Sequence, residues 1–84
     1  MHDPISKAYT ALLDSVAHHE AAAQRFAEIA RAEEDAGEPM KARLLRRYVR
    51  DMRVTALRMS AEAAALAARH PRLGRVPDGG VARR

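Results

Sequence analysis

The sequence predicts an all-α protein, a long antiparallel helical hairpin that dimerises into a four-helix bundle. Three observations carry that expectation. Two long stretches place small or apolar residues at alternating steps of three and four, a mean period of 3.5 that suits helices packed along a seam. A Gly-Glu-Pro break, Gly37-Glu38-Pro39, separates them. Finally, bulky apolar material is scarce: 48% of the 84 residues are hydrophobic, but 19 of them are alanine, with one Phe, two Tyr and no Trp. So short and alanine-rich a chain encloses little core on its own. It has no cysteine, so neither a disulfide nor a thiolate metal site can add to that core. Association with a second copy is the remaining route.

The first helix is expected over about residues 4–36. Asp3 suits the capping position, and Pro4 fits the first helical position, where its missing N–H costs nothing. The seam then runs Ile5, Tyr9, Leu12, Val16, His19, Ala23, Phe26 and Ala30. Gly37 serves as the left-handed residue that ends the helix. At 1.5 Å per residue the rod is about 50 Å long.

The second helix, about 39–69, again opens on proline. Its expected seam is Leu45, Tyr48, Met52, Thr55, Met59, Glu62 and Leu66, with Ala42, Val49, Ala56 and Ala63 beside it. His70-Pro71 ends it, because the residue before proline is pushed out of helical geometry. Two rods of equal length joined by so short a link must lie antiparallel. Residues 71–84 carry two prolines, three glycines and four arginines without periodicity and are expected to form a flexible basic tail. Leu13, Ile29, Leu44, Val54 and Leu57 fall off both seams, and a second hairpin is expected to cover them. Met40, Met52 and Met59 are expected as core filler.

Charge is split between the rods. Residues 1–36 hold seven acids and three bases, whereas 37–70 hold three acids and eight bases. Arg43, Arg46, Arg47, Arg50 and Arg53 recur at steps of three and four and form one ridge on the second helix. The plain expectation is that helix 1 neutralises it, with Glu28 level with Arg47, and Glu33 and Glu34 level with Arg43 and Lys41. The sharper expectation is a binding surface. An acidic protein is one candidate partner. The other is nucleic acid, whose phosphates the ridge and the tail would track, although no aromatics are interleaved for base stacking.

His19 lies on a seam of apolar residues and is expected as a neutral register device bonded to Thr55 or across the dimer axis, with Glu62 the one charged residue on the opposite seam. Doubled in a dimer, His19 and Glu62 would form a candidate metal site, but di-iron bundles need Glu-x-x-His on one face, and none occurs. His19-Glu20 opens the zincin pattern, yet its second histidine would fall at Ala23. Ser15 beside His18 and His19 lacks an oxyanion hole and an orienting third group. No cofactor and no enzyme activity are therefore expected.

The opening residues do not read as a secretory leader, and no apolar run is long enough to span a bilayer, which together suggest a cytoplasmic protein. The 13 arginines against two lysines fit a GC-rich bacterial genome. The resulting expectation is a small adaptor or regulator, a homodimer that binds a macromolecule through the Arg-rich face of helix 2. A nucleic-acid-binding regulatory dimer is the alternative, and a metal-binding bundle is a more distant one.

Overall fold

The computed structural model describes residues 3–74. Helix α1 spans Pro4–Asp35 and helix α2 spans Pro39–Arg69, and a single 3-10 turn, Pro71–Gly74, follows. The two helices pack against each other along their length, and no strand occurs among the described residues.

Local chemistry accounts for each boundary. The Asp3 carboxylate accepts the Ser6 N–H at 2.7 Å, which satisfies one of the free amides at the start of α1. At the other end Gly37 takes φ +84°, a conformation that costs a residue with a Cβ. The chain reversal there is closed twice: Glu38 N–H donates to Glu33 C=O at 2.8 Å and Gly37 N–H to Glu34 C=O at 3.0 Å. This double closure, a Schellman motif, leaves Pro39 to begin α2 immediately. His70, at φ −134° and ψ 78°, has left the helical region that a following proline disfavours, and ends α2. Pro71–Gly74, the first residues of the expected tail, form the 3-10 turn. The rest of the expected tail, 75–84, lies outside the described residues.

The molecule is a rod, 52 Å in its longest dimension, with a radius of gyration of 17.4 Å. A compact chain of this length would have a radius near 12 Å. Its interior consists of six residues: Ala23 and Ala30 on α1, and Ala42, Val49, Ala56 and Ala63 on α2. Within each helix they recur every seven residues, a pattern that returns a residue to the same face every second turn.

This corrects the expected seam of α2. The line Ala42–Val49–Ala56–Ala63 lies at its centre, and the bulkier Leu45, Met52, Met59 and Leu66 stand half-buried to one side. Tyr48 is 52% exposed and Glu62 is on the surface. Small side chains let the two backbones come closest, so the contact centres on them and larger neighbours are displaced outward. Met40, expected in the core, is 71% exposed beside the turn.

An alanine-centred contact divides the hairpin into two flanks. On one, Leu12, His19 and Phe26 of α1 and Leu45, Met52 and Met59 of α2 are half-buried, and the Phe26 and Tyr48 rings lie 6.5 Å apart. On the other, Ala27, Arg31 and Glu34 meet Arg46, Arg50 and Arg53. Ile29, Leu13, Leu44, Val54 and Leu57 all remain exposed. Complete burial of one large aliphatic or aromatic side chain is worth about 1.5–3 kcal/mol. Among the described residues no large side chain is completely buried, so a lone hairpin realises little of that.

Candidate interaction surface

The arginines of α2 stand where helical spacing puts them, on one side and along the outer edge of the rod. Arg43, Arg46, Arg47, Arg50 and Arg53 crowd together at separations of three and four, and each such like-charge neighbour costs an isolated helix about 0.2–0.5 kcal/mol. The structure divides this ridge between two depressions. Near the turn, Arg43, Arg46, Arg47 and Arg50 surround a polar hollow with Glu34 and Pro39. Further along, Arg46, Arg50 and Arg53 join Arg31 of α1 around a groove of about 480 Å³ floored by Ala27, Val49, Val54 and Leu57.

Arg31 was not among the expected site residues. Its signal is nevertheless present in the sequence: it lies one residue beyond the buried Ala30, on the side of α1 that turns toward Arg46. Periodicity alone does not say which flank of one helix meets which flank of the other.

One ion pair spans the hairpin among the described residues: the Arg46 guanidinium donates to the Glu34 carboxylate. That hydrogen bond first, and the guanidinium charge second, hold the Glu34 carboxyl below its ordinary value. Both side chains are half-exposed, so salt and water weaken the contact. The expected pairs of Glu28 with Arg47, and of Glu33 and Glu34 with Arg43 and Lys41, are replaced by this one. Glu28 and Arg47 are both exposed and form no ion pair with each other, and Glu28 instead accepts from Gln24 Nε2 at 3.2 Å. Arg50, Arg53 and Arg31 have no carboxylate within ion-pair distance among the described residues.

His19 is half-buried on the apolar flank. Its Nδ1 lies 2.7 Å from the Ser15 carbonyl oxygen one turn earlier, so Nδ1 carries a proton and donates it. This replaces the expected bond to Thr55, which is itself half-buried on α2. The Ser15 carbonyl belongs to the same helix, four residues back, whereas Thr55 must be met across the seam. The His18 ring stands edge-on to His19 at 5.9 Å. Glu62, exposed, is withdrawn from the seam. No group of three or more His, Cys, Asp or Glu that could hold a metal ion occurs among the described residues.

At the open end of the hairpin, the 3-10 turn brings His70, Arg72 and Leu73 beside Asp3 and Ile5 around a shallow cavity. The Ser6 backbone N–H, together with its hydroxyl, lowers the Asp3 carboxyl below its ordinary value, and the Arg72 charge adds slightly. No helix among the described residues is long and apolar enough to cross a membrane.

No protein-family model, curated protein or solved structure matches this chain. The two flanks carry what chemistry the surface offers: an apolar one without a cover, and a basic one on which Arg46 is paired with Glu34, and Glu20 stands beside Arg53 without an ion pair.

Proposed function

We propose that this chain is a non-enzymatic interaction module, an adaptor or regulator that acts in the cytoplasm as a homodimer and binds a macromolecular partner through the Arg-rich face of α2. The observation that supports this reading is the segregation of the flanks. Half-buried Phe26, Met52 and Met59 line one side with Tyr48 and Ile29, while Arg46, Arg50 and Arg53 line the other. A second hairpin laid on the apolar flank makes a four-helix bundle and leaves both arginine faces outward.

Light scattering across a micromolar concentration series tests the assembly, and the expected mass is twice the 9.3 kDa of one chain. Tyr48→Glu with Ile29→Glu should return it to one chain with its helices intact, since both residues are exposed on a single hairpin. A folded wild-type monomer throughout the series refutes the dimer.

Nucleic acid is the second reading, favoured by the polar hollow of Arg43, Arg46, Arg47 and Arg50 near the turn. Binding to phosphates should weaken steeply with salt. Failure to shift any duplex or single strand at low ionic strength removes this alternative.

A further inference from the structure

We infer that the groove between Arg31 of α1 and Arg46, Arg50 and Arg53 of α2 is a docking site for an acidic amphipathic helix of a partner protein. The inference rests on the Arg-face reading above and names the class of partner that the face takes.

Four guanidinium groups rim the groove, and Ala27, Val49, Val54 and Leu57 form its floor, with no acidic residue in the lining. The two chemistries alternate along one edge of α2 at steps of three and four. From Arg46 to Leu57 the edge runs about 17 Å, three helical turns. Leu57 is 71% exposed, although it stands one turn from Arg53 and one face of it borders Ala56 of the seam. A leucine so placed gains from leaving water only if the incoming partner is itself apolar there.

A phosphate backbone would satisfy the arginines and offer Val54 and Leu57 nothing. A wholly hydrophobic segment would cover the floor and strand the charges. A helix with leucine-type residues on one face and carboxylates along both borders meets both demands at the period the groove presents. The arginine stems extend the apolar floor while their heads reach the rim, where carboxylates can accept in bidentate fashion. Arg46 is already engaged by Glu34, which leaves Arg31, Arg50 and Arg53 as the guanidinium groups open to the partner.

Fluorescence polarisation with the full chain tests this. The probe is a labelled synthetic peptide of about eighteen residues, five turns, with leucines on one face and glutamates flanking them. A scrambled peptide of identical composition and a labelled DNA duplex serve as comparisons. The amphipathic peptide should bind at least about tenfold tighter than the scrambled one, the effect of two apolar side chains leaving water. Val54→Gln with Leu57→Gln, both at exposed helical positions, should erase that preference and leave the scrambled peptide's binding unchanged. Arg50→Glu with Arg53→Glu should abolish binding of both, with circular dichroism confirming intact helices. Equal binding of the two peptides, or tighter binding of the duplex, overturns the docking site while leaving the Arg face as a general anion surface. Loss of the dimer in the Val54→Gln/Leu57→Gln protein overturns it as well, by assigning the groove to the contact between copies. Failure of every probe to bind at low salt removes the Arg-face reading itself.

Discussion

Replacing Ala30 by leucine should destabilise the protein, although it adds apolar surface at an apolar position. Ala30 is 0% exposed, as is Ala42 on the facing helix beside the turn. Three added carbons in an open site would contribute about 2.4 kcal/mol at 0.8 kcal/mol each. Where two backbones already touch through alanine there is no such room, and overpacking costs about 1–3 kcal/mol instead. Roughly 70 ordered residues confer only some 4–10 kcal/mol of stability, so a loss near 2 kcal/mol is a large share. At about 4–8 °C per kcal/mol for a domain of this size, the melting temperature should fall by about 8–16 °C. Far-UV circular dichroism at one fixed chain concentration measures it, since association would otherwise move the midpoint. Ala21→Leu is the control: that residue is exposed on α1, and its midpoint should hold. An Ala30→Leu protein as stable as wild type would refute the alanine-centred contact.

Acid should weaken the hairpin through Asp3 and Glu34. Both carboxyls titrate below their ordinary values in the folded chain, so the unfolded chain takes up protons first. Their stabilising contribution is complete above the ordinary carboxylate range and is lost as pH falls through it. Melting curves recorded from about pH 5 to pH 2 should show that loss, and the slope should flatten in Asp3→Asn with Glu34→Gln; an unchanged slope would show that neither contact matters. Gly37→Ala should cost about 1 kcal/mol, because an added Cβ meets nothing within 4 Å and only the φ of +84° is strained. Urea unfolding measures it, and a neutral substitution would mean that the turn relaxes.

Two long helices, their start at Asp3-Pro4, the reversal at Gly37 and the stop before Pro71 were all open to sequence reasoning. Each depends on a residue whose backbone or capping chemistry acts within a few positions. The candidate surface was only partly so. The arginine ridge of α2 follows from spacing, but Arg31, on the other helix, joins it through the packing of the two rods. Glu34 pairs with Arg46 rather than with Arg43 or Lys41 for the same reason. His19 bonds to its own helix because a carbonyl four residues back competes with any partner across the seam.

The order of helix, turn and helix was thus written in the sequence by itself, since capping, glycine and proline effects are local. Which line of the 3.5-residue pattern would become the contact was not. Leu45, Met52 and Met59 are the more hydrophobic line, yet Ala42, Ala56 and Ala63 hold the centre. Hydrophobicity ranks residues one at a time, whereas close approach of two backbones depends on the volume that both helices bring to the same place. Only the packed structure sums those volumes, and it alone decided that Leu45, Met52 and Met59 would be left half-buried on one flank while Arg46, Arg50 and Arg53 stand on the other with Val54 and Leu57.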